Sequence, residues 1–187
     1  IREAGLNDRI TVLLKDYRDL EGRFDKLVSI EMIEAVGPQF YDTYFETCSR
    51  LLKPEGMALI QAITITDQVY EQHKDSVDFI KRYIFPGSTI PSITALMSSM
   101  TRSSDLRLFH LEDITSSYVR TLQEWRKGFL ERIEQVRTLG YSEAFIRAWD
   151  FYLTYCEAGF QERYIGDAQL LLVKPKCRRE PIVPPLH

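Results

Sequence analysis

Phe24 to Phe45 reads FDKLVSIEMIEAVGPQFYDTYF and Leu51 to Ile65 reads LLKPEGMALIQAITI, and the succession of patterns in these two stretches decides the fold class. Phe24 to Ile30 is a short apolar run with the composition of a strand. Tyr41, Tyr44, Phe45, Cys48, Leu51 and Leu52 then recur at spacings of three and four, which predicts a helix with one apolar face. Lys53-Pro54-Glu55-Gly56 stops it. Met57 to Ile65 is a nearly unbroken apolar run of strand length interrupted by Gln61, as expected of a central parallel strand covered on both faces. Strand, helix, strand is the alternation of an open α/β sheet, in which ligands sit beyond the carboxyl ends of the strands.

Working outward, Ile10 to Leu14 (ITVLL) reads as another strand, followed by turn residues from Asp16 to Asp19. The loops after Leu14, Ile30 and Ile63 are therefore expected on one rim. Residues 66–104 read as an insertion: a charged helix from about Gln68 to Arg82, a turn at Tyr83 to Gly87, and a short helix after Pro91. A long connection of this kind is a candidate helical lid. Leu106 to Ile114 reads as a strand. Leu122, Trp125, Phe129, Ile133, Val136 and Leu139 mark a second amphipathic helix ending at Gly140, and Phe145, Trp149, Leu153, Cys156 and Phe160 mark a third. Asp167 to Val173 closes as a strand. Residues 1–175 thus form one domain, and residues 176–187 a basic, Pro-rich tail expected to be disordered.

With 187 residues, 44% hydrophobic and 27% charged, the chain has the profile of an ordinary globular domain. Its formal net charge of −3 gives no general attraction to nucleic acid, so no nucleic-acid partner is expected, and lipid contact must be local. Cys48, Cys156 and Cys177 lack the paired spacing of a zinc site or a disulfide framework, so no metal is expected and a reducing, cytoplasmic setting is the simpler reading. No apolar run approaches the roughly 20 residues needed to cross a bilayer.

Six strings, KDYRDL (15–20), FDKLVSIEMIEAVGPQFYDTYF (24–45), LLKPEGMALIQAI (51–63), RYIFPG (82–87), YVRTLQEW (118–125) and YLTYCEAGFQERYIGDAQLLLVKP (152–175), together resemble the cyclopropane-fatty-acyl-phospholipid synthases and mycolic acid cyclopropane synthases. They cover nearly the whole chain in the right order. The resemblance implies a Rossmann-like class I fold dependent on S-adenosylmethionine, with Asp16 and Tyr17 flanking adenine and Ser29 and Ile30 against the adenosine. Without it, Asp16 and Tyr17 read equally well as an Asx turn and a surface tyrosine. It further implies that Glu34 and Tyr118 hold a bicarbonate ion beside a substrate alkene, with Cys156 contributing through its neighbourhood rather than as a nucleophile. Taken alone, Glu34 reads as a charge at a helix N-terminus and Cys156 as a small buried hydrophobe.

The chain departs from the family pattern at Gln61 and Ala35, where family members often carry histidine. An amide donates a hydrogen bond but carries no proton at neutral pH, so Gln61 can position an anion without acting as acid or base. His73, His110 and His187 read as surface or structural. The resemblance also implies an upstream Gly-rich cofactor loop and strands that this chain lacks. It therefore reads as a fragment, a truncation, or a chain completed by a partner, with strand edges left open.

The implied chemistry is attack of a cis alkene, in a membrane phospholipid acyl chain, on the sulfonium methyl. The resulting carbocation is deprotonated by bicarbonate as a cyclopropane closes. Tyr83, Phe85 and Phe160 are candidate aromatic walls for that cation. Peripheral association with the inner membrane face is expected, and a homo-oligomer is left open. The alternatives are a methyltransferase of the same fold acting on another substrate, and a non-catalytic remnant that binds lipid or a partner.

Overall fold

The computed structural model describes residues 1–180 and 182. Four strands form one mixed sheet in the order β1-β2-β4-β3: β1 (Phe24–Ile30), β2 (Leu52–Ile65), β3 (Arg107–Asp113) and β4 (Ile165–Val173). β2 runs parallel to β1 and antiparallel to β4, and β3 pairs antiparallel with β4. Seven helices accompany them: α1 (Ile33–Val36), α2 (Tyr41–Leu51), α3 (Asp67–Asp75), α4 (Ile93–Ser103), α5 (Thr115–Glu131), α6 (Ile133–Thr138) and α7 (Glu143–Gln161).

Side chains alternate across a strand, and β2 shows the consequence. Ala58, Ile60 and Ala62 are fully buried on one face with Leu170 and Leu172 of β4, against Tyr44, Phe45 and Cys48 of α2 and Leu96 and Met100 of α4. The alternate residues Leu59, Gln61 and Ile63 are only half-buried, because the α5–α7 pair covers the carboxyl-end half of that second face through Leu122, Leu153 and Phe160. The expectation of a strand covered on both faces holds for the first face and only in part for the second.

Lys53 to Gly56 does not turn away after α2. It is extended and belongs to β2, and a side chain at Gly56 would stand 3.0 Å from the Lys53 carbonyl oxygen and 3.2 Å from that of Asp25. The predicted helix over 122–139 breaks at Arg132 into α5 and α6, and the charged helix ends at Asp75 before a separate π turn over Ile80–Ile84. Within the 66–104 segment, α4 belongs to the core. Ile10 to Leu14 is not a strand: it runs as irregular chain with Leu14 fully exposed, because no described strand lies beside it to pair with. β1 is correspondingly an edge strand, with Val28 65% and Ile30 51% exposed.

His73 is buried rather than on the surface, and His110 lies on β3. Of the tail, the backbone N–H of Lys176 donates to the Pro54 carbonyl at 3.2 Å, while residues 181 and 183–187, including His187, lie outside the described residues. Lys174 just before it is buried and ion-paired with Asp105 at 2.6 Å.

Candidate active site

β1 stops at Ile30, and the chain leaves the sheet through Glu31, whose φ of +48° lies in the left-handed region. For a residue with a side chain this conformation costs roughly 1–2 kcal/mol, and such strain gathers where function needs it. The Glu31 N–H still donates to the Gln61 carbonyl at 2.9 Å, prolonging the ladder by one bond. The next backbone donor of β2 on this side is Ile63, which has no strand residue opposite. Glu34 caps it: its Oε1 accepts from the Ile63 N–H at 2.6 Å. Its Oε2 is buried without a partner, and burial pushes the carboxyl up to about 7, with a smaller contribution from Glu31.

Gln61 projects onto the α5–α7 side of the sheet. Its Nε2 donates to Glu31 Oε1 at 3.0 Å and to Asp167 Oδ2 at 2.9 Å, while its Oε1 accepts from Gln169 Nε2 at 3.0 Å. Because the amide nitrogen must face the two carboxylates, its orientation is fixed. Asp167 arrives by the antiparallel register, opposite Ile63. Only 1% exposed and with Oδ1 unpartnered, Asp167 is also pushed up to about 7, chiefly by burial and then by Glu31.

The start of α5 is stitched to the same residue. The Asp167 N–H donates to Thr115 Oγ1 at 3.1 Å, and the Ile114 N–H donates to the Asp167 carbonyl at 2.9 Å. Tyr118, on the first turn of α5, thereby reaches over the rim and donates its hydroxyl to Glu31 Oε2 at 2.9 Å. Its ring packs on Phe160 at 4.7 Å, and burial, followed by the bond to Glu31, raises its pKa.

Among the residues expected at the site, Gln61 and Tyr118 meet on one carboxylate, but that carboxylate is Glu31 and not Glu34. Cys156 lies beside Tyr152 in the α5–α7 cluster, its thiol pushed up to about 12 by burial. A thiol so placed is inert as a nucleophile at neutral pH. Glu31 and Asp167 escaped the sequence reading. Glu31 simply follows the strand run FDKLVSI, and Asp167 opens the apolar strand that ends at Val173; only their places in the sheet bring them to Gln61.

On the cofactor side, Tyr17 packs edge-on against Tyr44 at 5.8 Å. The hydroxyls of Ser29 and Tyr44 are buried without partners. Ser29 and Ile30 occupy opposite faces at the carboxyl end of β1, so these expected residues form no single cluster. Of the two, only Ile30, 51% exposed, presents a surface at the carboxyl end of β1, while the Ser29 hydroxyl is buried on the α2 side. Asp16 is paired with Arg18, which holds its carboxylate through Nε at 2.9 Å and Nη2 at 2.7 Å and lowers it to about 2.

The donor set separates the two groups that the family resemblance implies. Glu31, Glu34 and Asp167 make an acidic rim, and a sulfonium cation bound there would favour the ionised form of the two carboxyls held near 7. Bicarbonate does not fit: Tyr118 and Gln61, the donors expected to hold it, are each bonded to an oxygen of Glu31, whose side chain occupies the place between them.

Residues 1–170 match the family model described as mycolic acid cyclopropane synthetase. The chain is 36% identical over 174 residues to the tuberculostearic acid methyltransferase UfaA1 of Mycobacterium tuberculosis, a match covering 93% of this chain and 41% of that protein. It is 37% identical over 156 residues to the cyclopropane-fatty-acyl-phospholipid synthase of Escherichia coli, covering 83% and 39% respectively. The chain thus spans about two fifths of the length of these curated relatives. Among solved structures, the mycolic acid cyclopropane synthase CmaA1 complexed with SAH and CTAB superposes with a TM-score of 0.78 at 27% identity, covering 87% of this chain and 59% of that one. The cyclopropane synthase MmaA2 from Mycobacterium tuberculosis gives 0.79 at 24% identity, covering 92% and 65%. The sheet is therefore part of the Rossmann-like fold of class I S-adenosylmethionine-dependent methyltransferases, and, on a match running from its first residue through β3 and most of β4, the chain belongs to the mycolic acid cyclopropane synthetase family.

Proposed function

We propose that the intact protein carrying this chain transfers a one-carbon unit from S-adenosylmethionine to a cis alkene of an unsaturated phospholipid acyl chain, forming a cyclopropane. The observation that carries this reading is the rim itself. Glu31, Gln61, Asp167 and Tyr118 converge at the carboxyl ends of β1 and β2, where open α/β sheets bind ligands. When bound, S-adenosylmethionine supplies an electrophilic methyl and departs as a neutral thioether.

The chain's own residues do three things in this scheme. The carboxylates stabilise positive charge at the rim, and the face of Tyr118, backed by Phe160, does so without offering a nucleophile. Gln61, bonded through both ends of its amide, holds the carboxylates in register. Apolar surface for an acyl chain is available in an open groove of about 610 Å³, lined by Phe79, Tyr83 and Ile84 around the π turn and by Phe145 and Trp149 of α7.

The printed name of UfaA1 supports a second product, a methyl branch in place of a ring. No described helix is long and apolar enough to cross a membrane, and a lipid substrate would be met at a membrane surface. The test is to supply the intact protein with unsaturated phospholipid vesicles and methyl-labelled S-adenosylmethionine. Label in the acyl chain with upfield ring protons in the NMR spectrum is the expected result. Label without those protons selects the methyl branch, and no label in lipid overturns the proposal.

A further inference from the structure

We infer that the side-chain carboxylate of Glu31 is the base of this reaction, standing where a separate anion was expected. The inference rests on the methyl-transfer reading above and adds to it the group that removes the proton. Both Glu31 oxygens are held, Oε2 by the Tyr118 hydroxyl at 2.9 Å and Oε1 by the Gln61 amide at 3.0 Å, so the carboxylate is fixed at the rim by the donors that would otherwise cradle a bound ion. A base must sit within hydrogen-bond reach of the proton it removes, and positioning of this kind supplies much of its advantage over a base from solution.

Glu31 is placed there at a conformational cost. Its φ of +48° is one of only two positive values at non-glycine residues among those described, and the other, at Arg163, lies just past the end of α7. A residue selected for the turn alone would be glycine or asparagine. Keeping a glutamate at this position ties the strain to what its side chain does.

The step balances without another reactant. The alkene π pair forms the new carbon–carbon bond as the sulfur–methyl bond breaks, leaving a carbocation and a neutral thioether. Glu31 then takes a proton from the transferred methyl, and the C–H pair closes the third ring bond. Removal from the neighbouring carbon instead leaves a methylated alkene. In either case Glu31 ends as a carboxylic acid and returns its proton to solvent.

The test uses the intact protein in buffer depleted of carbon dioxide, with the wild type beside Glu31→Gln and Glu31→Gly. The wild type is expected to turn over without bicarbonate. Both variants are expected to lose about 100-fold or more in lipid methylation, while binding S-adenosylhomocysteine as the wild type does. Glu31→Gly is expected to keep or raise the melting temperature, because glycine accepts the backbone conformation, which separates loss of the base from loss of the fold. Recovery of Glu31→Gly by added bicarbonate or acetate would place a small anion between Tyr118 and Gln61 and support the assignment. A wild type that needs bicarbonate, or a Glu31→Gln that retains the wild-type rate, overturns it. Absence of lipid methylation by the wild type under every condition instead removes the methyl-transfer reading, and this inference falls with it.

Discussion

Tyr118, Gln61 and Glu34 have different jobs although the sequence groups them together. Tyr118 reaches the rim carboxylate with its hydroxyl alone, so Tyr118→Phe keeps the ring on Phe160 and removes one hydrogen bond from Glu31. We expect about a 10- to 100-fold fall in methyl transfer, in the range of a lost charged hydrogen bond of about 1.5–3 kcal/mol, with S-adenosylhomocysteine affinity unchanged by calorimetry. Glu34 satisfies the backbone at Ile63. Glu34→Ala leaves that N–H orphaned and should lower unfolding free energy by about 1–3 kcal/mol in urea. Glu34→Gln keeps an acceptor and should lose less. Equal losses in the two variants would show that the Ile63 contact is not what Glu34 contributes.

At the level of elements, the sequence reading succeeded wherever a segment's partners were implied by its own pattern. β1 is found at Phe24–Ile30, as the run FDKLVSI indicated, and α2 carries the apolar stripe seen at spacings of three and four. Ile10 to Leu14 shows the limit: its residues suit a strand, but strand formation needs a neighbour to accept its hydrogen bonds, and local sequence cannot supply one. α4 shows a different limit. Its position after Pro91 suggested part of a surface cover, yet Leu96 and Met100 are buried against α2, and Ser92 caps its start by accepting from the Ala95 N–H at 3.2 Å. Ser92→Ala should therefore cost about 1 kcal/mol, and Phe45→Ala on the facing helix about 3–5 kcal/mol. Both are measurable by chemical denaturation. A neutral Phe45→Ala would contradict a shared α2–α4 core.

Across the whole molecule, the rim opposes stability at neutral pH. Glu34 and Asp167 have ordinary carboxyl values of 4.5 and 3.8 and are both pushed up to about 7 in the fold. The folded state thus holds their protons more tightly than the unfolded chain. Their contribution favours folding most below about pH 4, falls as pH rises through about 7, and then levels. Asp42 and Asp105 are lowered and act in the opposite sense, so the informative quantity is a difference. The stability of Asp167→Asn relative to wild type should be greater at pH 8 than at pH 4.5. A difference independent of pH would mean that Asp167 is not held with a raised pKa.

What the sequence by itself determined is the alternation of strands and helices and the family, because periodicity and ordered motifs are properties of neighbouring residues; it also proposed Gln61 and Tyr118 for the site, and these two meet on one acid. Tertiary structure alone decided which acid those two residues serve. Gln61 and Asp167 are 106 residues apart, and Tyr118 and Glu31 are 87 apart. The β2–β4 register brings the first pair together, and the joining of α5 to Asp167 brings the second. Burial and hydrogen bonding to distant groups set the charge and role of a carboxylate, and neither is written in the few residues on either side of it.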